Sequence, residues 1–498
     1  MSKKDKNDLS RISPQTPADL LKSQRSLKFV LGIRKSKSKR NVMSSSDIES
    51  QLTINNANFS DYGTLNTINH DLSSVNEDLI KKTNVVFDVK SDIIGFKNLI
   101  LSNWINLLLF FVPFGIVAQL LRWNSSAIFF LNFLGMIPLA AILGDATEIL
   151  AEHLGEVIGG LLNATFGNAV EVVVMIFTLL RAKEFGDNLK GKQDMLIVVQ
   201  TSLIGSVFSN SLLVLGCSFL ANGIFHKLSQ YSVKAASANV SLLMIAAFVM
   251  LLPGPYSHSN PHYELLLSRI AAIVLLFMYC CLMYFVLITH KDILNDDARN
   301  RSNLKSVSII TSSSFYKNDN DIDRDSDNDD DVELSMISSI LLLFISTTLV
   351  SIMSEFLVDS IEPMTMKLGM NTPFVGIILL PIIGNAVEHI TAVRMAIKGK
   401  MDIALSIAIG SATQVGMFVV GLAVIIGWIM DLPLSLSYDP FEVKLFIFSS
   451  IIIFGLIFDG TSHWLQGIML LCLYVLVAAS VYNQEYKYTP VLYKYTAQ

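Results

Sequence analysis

The stretch LLNATFGNAVEVVV, Leu161–Val174, sets an amide (Asn168) and a carboxylate (Glu171) in a run otherwise apolar enough for a lipid bilayer. A carboxylate at mid-bilayer costs several kcal/mol unless it is paired or neutralised, so its presence calls for a partner or a task. The pentapeptide GNAVE at Gly167–Glu171 returns at Gly384–Glu388. Each copy is followed by a second apolar segment bearing Gly-Ser. These are QTSLIGSVFSN (Gln200–Asn210), with Gly205 and Ser206, and SIAIGSATQV (Ser406–Val415), with Gly410 and Ser411. The chain thus contains an internal repeat, which is read before anything else.

Composition supplies the setting. Of 498 residues, 52% are hydrophobic and 16% charged, and the mean hydropathy of +0.52 is far above that of a soluble globular protein. An integral membrane protein is the class that fits. The apolar residues fall in blocks of about 20, the length of a helix across a core of about 30 Å. A membrane β-barrel would alternate over about 10 residues per strand, and the sequence has no such pattern. Candidate spans lie near 97–121, 126–143, 156–180, 195–220, 233–252, 265–289, 335–357, 372–395, 402–429, 441–458 and 463–482. The fold class expected is an all-α integral membrane protein of about 11 transmembrane helices. Cys217, Cys280, Cys281 and Cys472 all sit in apolar segments and read as core residues, not as a disulfide or zinc framework. The polar first 90 residues show no signal peptide.

The two GNAVE copies lie on the third and eighth spans. An odd number of spans separates them, so the two helices cross the membrane in opposite directions. This is an inverted-topology repeat, in which the ion site is expected near the midplane where the repeats meet. Glu171 and Glu388, brought together there, would repel. Either a divalent cation or protonation relieves that repulsion, and a site that holds one or the other is the chemical basis of antiport. Asn168 and Asn385 stand three residues before each Glu, on the same helix face. Ser206 and Ser411 add hydroxyls, and Ser209 and Gln414 occupy matching positions three residues further on. Oxygen-only ligands suit Ca²⁺ or Mn²⁺ better than zinc or copper. The Gly before each Asn is expected to permit local unwinding. Ahead of the third span, GDATEILAEHLGE places Glu148, Glu152 and Glu156 four residues apart on one face. That face is either a solvated rim or a cation-collecting vestibule.

The expected organisation is a cytosolic tail over 1–95, composed as disordered chains are, a first membrane half over 96–290, a cytosolic loop over 291–334, a second half over 335–482 and a short tail over 483–498. Lys22–Arg40 carries eight Lys/Arg and no acid, whereas Asp319–Glu333 carries nine carboxylates and one Arg. The acidic run is not an EF-hand: counted from Asp321, Ser326 and Val332 stand where that loop needs Gly and Glu. Lys/Arg counting puts the amino terminus and the 291–334 loop in the cytosol, although the basic connection Arg181–Lys192 runs against the rule.

Several stretches resemble the calcium/proton exchangers of vacuoles and other acidic compartments, within the calcium/cation antiporter superfamily. They are IPLAAILGDATEILA, IGGLLNATFGNAVE, SLIGSVFSNSLLVLG, LPIIGNAVEHITAV, KMDIALSIAIGSATQ and WLQGIMLL. The resemblance runs from about residue 97 to 482 and implies eleven helices, a peripheral first helix and two inverted five-helix repeats. It implies that Glu171 and Glu388 bind the cation and exchange it for protons. The polar residues of the site would be Asn168, Asn385, Ser206, Ser209, Asn210, Ser411 and Gln414, and Glu148 would be the vestibule glutamate. Asp145 stands where a neutral residue is expected, which implies a more acidic vestibule together with Glu148 and Glu152. Thr461 and Gln466 replace acids common in relatives and receive no role. The implied activity is uptake of Ca²⁺, with Mn²⁺ as a further cargo, from the cytosol into an acidic organelle, most plausibly the vacuole, in exchange for protons. The expected partners are these ions and the bilayer, with no cofactor and no nucleic acid; a homo-oligomer is left open. The chain reads as a transporter, not an enzyme. The alternatives are a sodium/calcium exchanger, whose repeats carry Pro before the acid, and a cation channel, which would array its acids in subunit rings. A membrane-embedded metal hydrolase is disfavoured because His389 has no second His at helical spacing.

Overall fold

The computed structural model describes residues 89–257, 259–289 and 334–483. The basic segment at 22–40, the acidic run at 319–333 and the tail from 484 lie outside the described residues. The rest is almost wholly helical, as a chain in lipid must be: with no water to satisfy peptide groups, each segment bonds its own backbone.

In chain order the helices are α1 (Val89–Ser102), α2 (Phe111–Leu120), α3 (Ser125–Leu154), α4 (Glu156–Phe166), α5 (Ala169–Glu184), α6 (Leu189–Phe208) and α7 (Leu215–Phe225). Then follow α8 (Val233–Leu251), α9 (Pro261–Tyr284), α10 (Met336–Leu368), α11 (Thr372–Phe374), α12 (Leu380–Gly384) and α13 (Ala386–Ile397). The last are α14 (Met401–Gln414), α15 (Val420–Ile429), α16 (Pro440–Phe458) and α17 (Trp464–Asn483). Among the described residues eight helices are long and apolar enough to cross a membrane, and joining three bent pairs raises the number to 11. The first of those pairs, α1 with the segment through α2, is the first span; Trp104, Leu107 and Leu120 are exposed along it, so it lies at the edge of the bundle.

Helix ends are marked by side chains that reach back to free amides. Asn124 Oδ1 accepts from Ala127 N at 2.8 Å, Asn371 Oδ1 from Phe374 N at 2.8 Å and Asn260 Oδ1 from Tyr263 N at 3.1 Å. These side chains are N-caps, each satisfying an amide that the first helical turn leaves free. Within the spans, hydroxyls bond their own helix; Thr147 donates to Leu143 O at 2.7 Å and Ser218 to Val214 O at 2.8 Å. Helices α3 (30 residues) and α10 (33 residues) pack along each other. At 1.5 Å per residue both exceed the bilayer core, so they cross it tilted. Both run further than their apolar stretches suggest. The acidic group Asp145–Glu152 is therefore the last turns of α3, not a link ahead of the third span.

Two structural signatures confirm the repeat. The third span breaks between α4 and α5 with a 46° bend, and the eighth breaks between α12 and α13 with a 60° bend. The fourth and ninth spans each carry a widened, π-helical turn, at Ser209–Val214 and Val415–Val419. The turn begins three residues after Ser206 in one half and four residues after Ser411 in the other.

Candidate functional site

Both breaks fall on the repeated Asn. Asn168 has φ −109° and ψ 23°, and Asn385 has φ −96° and ψ 16°; neither continues a helix. The preceding glycines do not unwind as expected, since Gly167 keeps right-handed helical angles and Gly384 is the last residue of α12. Their contribution is close approach. A Cβ on Gly384 would lie 2.7 Å from Glu171 Oε1, so only Gly lets the second break touch the first carboxylate.

Each broken helix then places a Glu in its new first turn, where free amides favour negative charge. Glu171 and Glu388 stand close enough to repel each other. Around them the polar side chains bond across the repeats. Asn168 Nδ2 donates to Gln414 Oε1 at 2.8 Å. Ser206 Oγ donates to Asn385 Oδ1 at 2.9 Å, and Asn385 Nδ2 returns a bond to Ser206 O at 3.2 Å. Asn210 Nδ2 bridges Asn385 Oδ1 at 3.1 Å and Ser411 Oγ at 2.8 Å. Six of the nine residues read from sequence are hydrogen-bonded in this way, four in one group (Ser206, Asn210, Asn385, Ser411) and two as a pair (Asn168, Gln414), and Glu171 lies against Gly384 beside them. Glu388 joins through its charge. Ser209 is buried at the start of its π turn and, among the described residues, hydrogen-bonds to none of the others.

The Asn168, Asn210 and Asn385 amides all donate within these groups, whereas several of the oxygens accept nothing. Asn168 Oδ1, Glu171 Oε1 and Oε2, Asn210 Oδ1 and Glu388 Oε2 are buried without a hydrogen-bond partner. An unpaired buried polar atom costs about 1–3 kcal/mol, and a charged one more, so this is a donor set for protons or a cation. Among the described residues no three His, Cys, Asp or Glu side chains converge. A cation held here would take its further ligands from amides, hydroxyls and carbonyls, as hard cations do. A cavity of about 20 Å³ adjoins Glu171, lined among others by Ser202, Ser206, Pro381 and Gly384; it has room for about one water.

Access to the site is lopsided. On the first side, α6 packs against the segment entering the second break. A Cβ on Gly205 would lie 2.4 Å from Ile377 O, and Val375 is 0% exposed. On the other side the repeat mates are open: Gly410 has no neighbour within 4 Å of such a Cβ, and Ile158 is 59% exposed. Thr201 is buried while its mate Ser406 is exposed. Packing is therefore looser at the end of the bundle that holds Leu154 and Ile158 and tighter at the end that holds Thr372.

The acids of α3 line the looser end. Asp145 and Glu152 both act electrostatically on half-buried Glu148. Arg394 of α13 acts electrostatically on Asp145, so the extra acid has a basic neighbour. One pairing was missed in the sequence. TEILAEHL (Thr147–Leu154) has a counterpart in SEFLVDSI (Ser354–Ile361), which equates Glu148 with Glu355 and Glu152 with Asp359. Spacing of the acids was the available signal. At the tighter end Asp359 pairs with Arg181 at 3.4 Å, and Arg181 also holds Glu184 at 2.9 Å.

Comparison with known proteins agrees with this geometry. The family described as sodium/calcium exchanger protein matches residues 124–288 and 338–483. The vacuolar calcium ion transporter of Schizosaccharomyces pombe is 34% identical over 392 residues, covering 78% of this chain and 86% of that protein. Vacuolar cation/proton exchanger 5 of Arabidopsis thaliana is 38% identical over 398 residues, covering 78% and 83%. The Ca²⁺/H⁺ antiporter of Aphanothece halophytica is 37% identical over 379 residues, covering 75% and 95%. Among solved structures, native YfkE superposes with a TM-score of 0.60 at 29% identity, over 76% of this chain and all of that one. The H⁺/Ca²⁺ exchanger CAX gives 0.56 at 12% identity over 79% and 90%, a likeness of fold. With the repeat, the breaks and the paired glutamates in place, the chain belongs to the sodium/calcium exchanger family of membrane antiporters, on its vacuolar-type calcium/proton branch.

Proposed function

We propose that this chain moves Ca²⁺ from the cytosol into an acidic organelle, the vacuole, in exchange for protons, with Mn²⁺ as a second cargo. The observation that carries the reading is the set of five unpartnered buried oxygens drawn from both repeats around Glu171 and Glu388. Two ionised carboxylates balance one divalent cation; two protonated carboxyls need none. Cation and protons therefore exclude each other at one site, and either load leaves it without net charge. A neutral site is the cheaper one to carry through a low-dielectric core.

In this reading the loosely packed end beside Ile158 is an open crevice facing the cytosol, the tightly packed end is shut, and Glu148 collects cations at the crevice. Cargo loads from that face, the crevice closes, and the Thr372 end opens toward the lumen, where proton excess displaces the cation. Relatives named as vacuolar calcium transporters and cation/proton exchangers support both the ion pair and the membrane.

The test is ⁴⁵Ca²⁺ uptake into sealed vesicles holding an imposed pH gradient. Uptake should collapse with a protonophore, ignore a sodium gradient and fall in competition with Mn²⁺. Sodium-driven uptake at clamped pH would overturn proton coupling in favour of the sodium/calcium alternative.

A further inference from the structure

Tyr279 and Tyr474 are mates under the repeat, and in this structure only one of them is bonded. The mapping comes from two matched seams. Gly421 packs on α9, where a Cβ would meet Leu276 Cγ at 2.9 Å and Ala272 O at 3.0 Å. Its mate Gly216 packs on α17, where a Cβ would meet Leu471 Cγ at 3.1 Å and Gly467 O at 3.2 Å. Ala272 is thus equated with Gly467 and Leu276 with Leu471, and the same separation carries Tyr279 onto Tyr474. Both rings are buried.

Their hydroxyls differ. Tyr279 stacks on Phe418 of the ninth-span π turn, with ring centroids 5.0 Å apart, and its hydroxyl donates to Ala164 O over a long 3.4 Å. Ala164 stands four residues before Asn168, so its carbonyl is the one that an unbroken helix would bond to Asn168 N. Here it takes side-chain donors instead, the Tyr279 hydroxyl and, at 3.5 Å, Asn168 Nδ2. The mate of Ala164 is Pro381, whose carbonyl still receives Asn385 N at 2.9 Å. The Tyr474 hydroxyl is buried with no partner among the described residues, an unfavourable state that a folded protein keeps only for a reason. This difference has the same handedness as the access itself: the first half is open and its tyrosine is bonded, while the second is shut and its tyrosine waits.

We propose that Tyr279 and Tyr474 are a matched pair of positioning residues, each holding the carbonyl beside the helix break of its own half in one of the two access states. Tyr279 holds Ala164 O while the crevice beside Ile158 is open. Tyr474 holds Pro381 O, which has a second lone pair to offer, when the other end is open. The idea rests on the two-state exchange proposed above. Each tyrosine acts through the break, and so through the Asn168 or Asn385 amide that faces the cargo.

The test replaces each hydroxyl alone, by Tyr279→Phe and Tyr474→Phe, which keep the ring packing. The KM for ⁴⁵Ca²⁺ is measured from each face in sealed vesicles of both orientations. Losing one hydrogen bond shifts a two-state ratio by about fivefold, and the apparent affinity from a face scales with the fraction open to it. Tyr279→Phe should raise KM from the crevice face by up to about fivefold and lower it from the opposite face. Tyr474→Phe should do the reverse, and the double variant should return both values toward those of the original chain. Changes of the same sign in the two variants, or no change in either, overturn the proposal; a purely structural role predicts the former. Should Tyr279→Phe fail to reach the membrane, Tyr474→Phe decides alone, since it must lower KM from the crevice face. Proton-coupled uptake by the unsubstituted chain is scored in the same vesicles. A failure of the exchange reading appears there, and a failure of the tyrosine pairing appears in the variants alone.

Discussion

At the scale of the residue, everything turns on what Glu171 and Glu388 can hold. Their oxygens outnumber the donors that the site supplies, so each carboxyl must take a proton or a cation. Glu171→Gln and Glu388→Gln keep the volume and lose the ability to ionise. Each should abolish ⁴⁵Ca²⁺ transport at equal membrane abundance, with thermal stability unchanged or raised, because a buried charge has been removed. Near-normal uptake by either variant would refute the assignment. Proton and cation compete for the same oxygens, so raising the pH at the loading face removes the competitor. KM for Ca²⁺ should fall by about tenfold per pH unit for each proton displaced, read as the slope of log KM against pH at that face. A flat profile would separate proton binding from cargo binding. Both acids, both amides and both Gly-Ser pairs were legible in the sequence because charge in a bilayer-grade run is so costly that it stands out. Tyr279 and Tyr474 were not, since a buried tyrosine in an apolar helix looks like packing until its hydroxyl is traced.

At the scale of the element, the glycines divide the open seam from the closed one. Gly205 lies against Ile377 O with no room for a methyl. Gly205→Ala should therefore lower stability by about 1–3 kcal/mol, as overpacking does. Gly410 has open space in this state, so Gly410→Ala should fold with an unchanged melting temperature. It should nevertheless slow turnover, because the repeat predicts that the reversed state brings Gly410 as close to the backbone around Gly160 as Gly205 now lies to Ile377. Melting curves and transport rates on the same preparations check both halves of this expectation. The spans themselves were readable from apolar length to within a turn or two, except where α3 and α10 run on as acidic helix. The π turns were invisible beforehand, because a widened turn has no compositional mark.

At the scale of the whole molecule, charge is segregated into parts that lie outside the described helices. Lys22–Arg40 carries eight positive charges and Asp319–Glu333 nine negative ones against one Arg. By the Lys/Arg reading both are expected on the cytosolic side, and we propose that the two segments restrain transport. Deleting residues 1–40 should raise the transport rate, and neutralising the acidic run should have the same effect. An unchanged rate across a range of cytosolic Ca²⁺ would leave the tail to targeting or turnover.

The seams at Gly216 and Gly421 carry a consequence for assembly. The sixth span seats on the ninth, and the eleventh on the fourth, so each half closes over the other like clasped hands. Much of the apolar surface of each half is thus buried against the other half. A chain severed between residues 291 and 333 should lose transport when either fragment is produced alone and regain it when both are made in one cell. The two fragments should then co-purify without any covalent bond between them.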